Sequence, residues 1–109
     1  MRENDKPVLI YSTFPDAVLA ETAGRALVGQ SLCGCVNILP AMTSIYRWEG
    51  AVETASEAVL IIKTRTGLVQ DVMAAVSAIH PYELPALVVL AVEGGLASYL
   101  DWIVSSTRD

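Results

Sequence analysis

Residues 32–65 read LCGCVNILPAMTSIYRWEGAVETASEAVLIIKTR, and their pattern decides the fold. Near the middle, Trp48-Glu49-Gly50 has the composition of a tight turn, and about 14 strand-compatible positions lie on either side of it. The stretch therefore predicts two long strands in a hairpin. Pro40 marks a bulge or kink, because proline cannot donate to a ladder, and Val59 to Ile62 form the buried part of the second arm. At about 3.3 Å per residue each arm reaches roughly 45 Å. A chain of 109 residues compacts to a radius of gyration of only ~13 Å. The hairpin must overhang its own domain. Its unpaired edge is an aggregation hazard unless something covers it, and a closed ring of identical subunits does so with defined stoichiometry. Geometry thus requires an oligomer but leaves the number of subunits open.

Upstream, Pro7-Val-Leu-Ile-Tyr-Ser-Thr13 is a short β-rich apolar run that fits a strand covered on both faces. Thr13-Phe-Pro-Asp16 has the form of a capping box, and the helix it opens carries Ala20, Ala23, Leu27 and Val28 at helical spacing before Gly29-Gln-Ser31 ends it. Downstream, Thr66-Gly67 starts a second helix with the stripe Val69, Val72, Val76 and Ile79, and Pro81 stops it by forcing His80 out of helical geometry. A last strand spans Ala86 to Val92, and Gly94-Gly95 turns into a terminal helix with Leu96, Tyr99, Leu100 and Ile103 on one face. The order β-α-β-β-α-β plus a final helix is an α+β, ferredoxin-like arrangement in one domain, residues 1–109, with an antiparallel sheet and helices on one face.

Composition narrows the function. The net charge is −5 and the seven Lys and Arg residues are scattered, which argues against a nucleic-acid footprint. Residues 26–46 carry no charge, yet Gln30, Ser31, Asn37, Pro40, Thr43 and Ser44 interrupt them, so no membrane span is expected. The polar start, Met1 to Pro7, has no apolar signal stretch, and a cytoplasmic protein with Cys33 and Cys35 as reduced thiols is expected.

Several separated motifs agree at once with one family. Cys35-Val-Asn-Ile38, Pro40, Ser44-Ile-Tyr46, Trp48-Glu-Gly50, Glu57, Lys63-Thr64, His80-Pro-Tyr82, Pro85 and Tyr99-Leu-Asp-Trp102 stand in the order and spacing of CutA proteins, over about residues 8–104. The chain resembles that family. The resemblance implies a homotrimer in which extended hairpins pair between subunits, an architecture like that of PII signalling proteins, and a link to tolerance of copper and other divalent cations. It also implies a ligand cleft between subunits, to which Cys35, Glu57 and Lys63 correspond. Some bacterial members are credited with copper ligation at three positions that here read Ser12, Ile79 and His80, so one of the three donors is retained.

Cys35 and His80 are the candidate metal ligands, and Glu57, Lys63 and Tyr82 the candidate residues for a small ligand. Cys33 and Cys35, two apart on a strand, would point to one face, where soft sulfur suits Cu(I) or Zn; a free cysteine is equally at home as a small buried hydrophobe. His80, the only histidine, can ligate a metal or simply terminate its helix. Glu57 and Lys63, six apart on one strand, share a face at about 20 Å separation and cannot pair directly. Tyr46, Trp48, Tyr82, Tyr99 and Trp102 read as core and interface anchors. No hydrolase triad, metalloprotease motif or phosphate loop is present, so a binding module rather than an enzyme is expected, with copper as the implied metal and no organic cofactor. Two other readings stay open: a purely structural trimer, and a small enzyme using His80 with Glu57 or Glu83.

Overall fold

The computed structural model describes residues 5–109; residues 1–4, and with them most of the polar N-terminal segment, lie outside the described residues. Four strands form one sheet in the order β2-β3-β1-β4: β1 is Pro7–Phe14, β2 Cys35–Trp48, β3 Ala51–Arg65 and β4 Leu87–Ala91. Neighbouring strands are all antiparallel. Helices α1 (Ala17–Gly29), α2 (Val69–Ile79, entered through a single 3-10 turn at Thr66–Leu68) and α3 (Ala97–Ser105) complete the predicted β-α-β-β-α-β-α order.

The apolar run of β1 takes a central position, paired with β3 on one side and β4 on the other. Side chains on a strand alternate between faces. Ile10 and Phe14 from β1, and Ala58, Leu60 and Ile62 from β3, therefore join Ala20, Ala23 and Leu27 of α1 and Val72 and Val76 of α2 in one core. Each fully buried Val, Leu, Ile or Phe there stabilises the fold by about 1.5–3 kcal/mol. Gly24 lets α1 lie close to the sheet, since a Cβ at that position would sit 2.8 Å from Val36 Cγ2.

Three local expectations change. The cap of α1 is Asp16, whose side chain accepts from the Leu19 N–H, and Thr13 stays in the strand. Burying Phe14 against Ala58 extends β1 past the point where Thr13 could cap anything. Val28 and Ile79 lie on the outer sides of their helices and are exposed, the core positions being taken by Leu27 and Val76. Helices α1 and α2 cover one face of the sheet, whereas α3 packs against the other: Tyr99 meets Lys63, which alternates with core-facing Ile62.

The hairpin matches its reading closely. Glu49 (φ 48°) and Gly50 (φ 82°) both take positive φ, the turn geometry whose twist suits two right-twisted strands. Leu39 pairs with Val59 and Met42 with Glu57, so Pro40 and Ala41 together oppose Ala58. That is the bulge at Pro40, on an edge strand where the missing N–H is tolerated. The long axis of the molecule is 45 Å against 26 and 22 Å for the others, and the radius of gyration is 14.5 Å. The hairpin leaves Leu39 and Ile45 of β2 and Val52 of β3 exposed at 54%, 72% and 66%.

Candidate ligand cleft at Glu57 and Tyr82

Pro81 lacks an N–H and disfavours helical geometry at the residue before it, and His80 is accordingly extended at φ −71° and ψ 135°. Its own N–H closes α2 on the Val76 carbonyl at 2.9 Å. The ring is turned inward and tilted by 30° against that of Phe14, with centroids 4.3 Å apart. Its Nδ1 accepts from the Tyr82 backbone N–H at 3.0 Å, and Nε2 lies 2.7 Å from the Thr13 carbonyl oxygen. One partner can only donate and the other can only accept. The arrangement therefore defines the neutral Nε2–H tautomer and uses both ring nitrogens.

Held in this way, Tyr82 swings its phenol over the sheet and donates to Glu57 Oε2 at 3.0 Å. Burial first, then the hydrogen bond and the charge of Glu57, push the Tyr82 phenol up to about 12, so it remains a neutral donor. Glu57 is 9% exposed. Thr13 and Glu57 form the floor of a cleft of about 480 Å³, walled by Tyr46 and Trp48 of the hairpin tip on one side and by the segment from Pro81 to Ala86 on the other. Its charged lining residues are Glu57 and Glu83, with no Lys or Arg.

Cys35 and Lys63 stand elsewhere. They pair across β2 and β3 at the opposite end of the sheet, six residues along β3 from Glu57, in unbroken register with β1. Lys63 Nζ donates to the Tyr99 hydroxyl at 3.0 Å and lies 5.4 Å from the centre of that ring, which itself stacks on Trp102. The Tyr99 hydrogen bond holds the Lys63 ammonium above its ordinary value. Cys33 does not share a strand face with Cys35. The strand begins only at Cys35, where the Gly34 N–H bonds to the Lys63 carbonyl at 2.9 Å, and Cys33 before it drops into the core, 1% exposed. Burial pushes its thiol up to about 11.

Of the predicted residues, then, the fold joins Glu57, Tyr82 and His80 at one end and Cys35 and Lys63 at the other. Among the described residues, no three His, Cys, Asp or Glu side chains are grouped to hold a metal ion. Sequence reasoning assigned Tyr46 and Trp48 to packing and left Leu84 unassigned. The available signal was parity, because Met42, Ser44, Tyr46 and Trp48 alternate on one face of β2, the face that Met42 shares with Glu57.

Among the described residues no helix is long and apolar enough to cross a membrane. The family model described as "CutA1 divalent ion tolerance protein" matches residues 8–106. The chain is 40% identical over 99 residues to a divalent-cation tolerance protein CutA of Thermus thermophilus, covering 91% of this chain and 96% of that protein. It is 38% identical over 112 residues to a CutA protein of Arabidopsis thaliana named chloroplastic, covering all of this chain but 62% of that protein, so it spans about three fifths of the plant relative's length. The crystal structure of CutA from Xylella fastidiosa superposes with a TM-score of 0.91 at 41% identity, covering 94% of this chain and 99% of that one. A match across nearly the whole chain, in both sequence and fold, places it in the CutA1 divalent ion tolerance family.

Proposed function

We propose that the chain works as a homotrimeric binding module of divalent-cation tolerance, not as an enzyme, and that it takes a metal ion or small ligand where subunits meet. The observation that carries this reading is the uncovered apolar hairpin and sheet face of the single chain, including Leu39, Ile45, Val52, Val88 and Leu90. Surfaces of this kind mark interfaces, and a long unpaired edge strand needs a partner. A ring of three, with a PII-like signalling role, is the form that the family resemblance favours.

In this reading a soft ion such as copper is bound through Cys35, with further donors from a neighbouring subunit, because thiolate sulfur suits Cu(I) and the described residues of one chain group no three donors. Lys63, fixed by Tyr99, lends positive charge beside that thiol. His80 holds Tyr82 in place, and would ligate a metal only by giving up one of its two hydrogen bonds. Glu57 and Tyr82 serve the small-ligand cleft. Two free thiols fit a reducing, cytoplasmic location.

Light scattering at micromolar concentration tests the assembly. Three chain masses are expected, and Ile45→Pro, which removes an N–H from the free edge of β2 where a neighbouring subunit would pair, should dissociate or unfold the particle. A stable wild-type monomer would overturn the reading.

A further inference from the structure

We infer that the Glu57 cleft is a site for a small organic cation, an ammonium group carried on a compact apolar body. The inference rests on the proposed function only in taking the cleft as a ligand site, and it names the ligand class.

Glu57 supplies the first argument. A carboxylate taken out of water is costly unless a positive charge meets it. Glu57 is 9% exposed, yet its described partner is the neutral Tyr82 hydroxyl, and among the described residues it forms no ion pair. Tyr82 stabilises the carboxylate without neutralising it. The other carboxylate oxygen, Oε1, is not sealed in the core but opens on the cleft, where a cation can reach it.

The walls supply the second. Tyr46, Trp48 and Tyr82 all line the cleft, and Tyr46 and Trp48 are about half exposed rather than packed away. Aromatic rings around a carboxylate attract a cation through their π faces, and such cages recognise methylated or alkylated ammonium groups. Glu83 also lines the site with no Lys or Arg to oppose it, so the local field has one sign.

Size and donor set choose between an organic and an inorganic cation. About 480 Å³ lies in the range of small-molecule pockets and far above the need of a bare ion. A divalent metal requires several converging donors, and the described residues contain no such group. An organic ammonium needs one carboxylate, aromatic faces and apolar contacts such as Leu84 and Pro81, all of which line the cleft.

The test is calorimetry on the full chain with choline, its uncharged isostere 3,3-dimethylbutanol, and acetate at constant ionic strength. Choline should bind, and the isostere at least about tenfold more weakly, since a desolvated cation–π and ion-pair contribution is worth that factor or more. Glu57→Gln and Trp48→Ala should each weaken choline by about tenfold, whereas Leu19→Ala, on the exposed side of α1, should not. Equal binding of choline and its isostere, no choline binding at millimolar concentration, or indifference to Glu57→Gln overturns the inference. So does a crystal structure of the assembly with a neighbouring subunit's lysine or arginine on Glu57. Light scattering and Cu(I) titration on the same samples separate the two readings. Loss of choline binding in an intact, copper-binding trimer sinks this inference alone, and a monomer that binds no copper sinks the proposed function.

Discussion

Replacing His80 by alanine removes the piece that joins α2, β1 and Tyr82. The substitution deletes hydrogen bonds to the Thr13 carbonyl and from the Tyr82 N–H, each worth about 1 kcal/mol net, and strands groups near a side chain that is only 9% exposed. It also removes ring contacts to Phe14 at 4.3 Å and Tyr82 at 4.9 Å, worth roughly 0.5–1.5 kcal/mol. With the cavity left beside Phe14, a loss of about 3–4 kcal/mol is expected. Urea unfolding at fixed protein concentration measures it, because dissociation couples to unfolding in an oligomer. A second readout is the phenol of Tyr82, which should lose its high-pH titration once the backbone no longer presents it to Glu57. A loss below about 1 kcal/mol with the Tyr82 titration unchanged would refute the structural role and return His80 to the pool of free metal ligands.

Cys33, buried and pushed up to about 11, should resist a thiol reagent in the native protein while half-buried Cys35 reacts; Cys35→Ser should abolish the native reaction, and a native reaction that instead vanishes in Cys33→Ser contradicts the assignment. Tyr82 has a folded-state value of about 12 against an ordinary 10.0, so its contribution to stability is complete below about pH 10 and is lost as pH rises through about 12. Wild type should therefore lose stability in that window more steeply than Tyr82→Phe, and parallel curves would argue against the buried phenol. Gly24→Ala should destabilise by about 1–3 kcal/mol, since its Cβ would meet a stiff β-branched side chain at 2.8 Å; a neutral or stabilising result would show that α1 can move off the sheet. Gly50→Val, at φ 82°, should weaken the hairpin turn and lower the thermal midpoint of the protein, whereas Gly29→Ala, with open space around its Cβ, should not.

The elements legible in the sequence are those set by local rules. Glu49-Gly50 turned where the chemistry of positive φ required, Pro40 made its bulge, and Pro81 ended α2 at His80. Local patterns misled where tertiary burial overrode them. Thr13 looked like a cap until Phe14 extended β1, and Cys33 looked like a strand partner of Cys35 until it sealed the core beside α1. The face taken by α3 was not readable, because the contacts made there, Lys63 to Tyr99 in the helix and Arg65 to Thr107 just beyond its end, are long-range and no spacing rule encodes them. The cleft was half readable. Glu57 and Tyr82 came from motifs, but their meeting depends on Pro81 and on a hydrogen bond between residues 25 apart in the chain, which no local pattern encodes.

In the proposed function, metal reaches the chain through an assembled trimer and Cys35. The most direct measurement is a Cu(I) competition titration of wild type, Cys33→Ser and Cys35→Ser, with the mass of each particle followed by light scattering. Trimers are expected throughout, with copper bound by wild type and by Cys33→Ser and affinity lost by at least about a hundredfold in Cys35→Ser, since a hydroxyl is a poor ligand for a soft ion. Affinity in wild type should also fall as pH drops, because the ligand is thiolate and binding releases a proton. Equal copper affinity in all three proteins, or full affinity in a monomer, would contradict the proposed function.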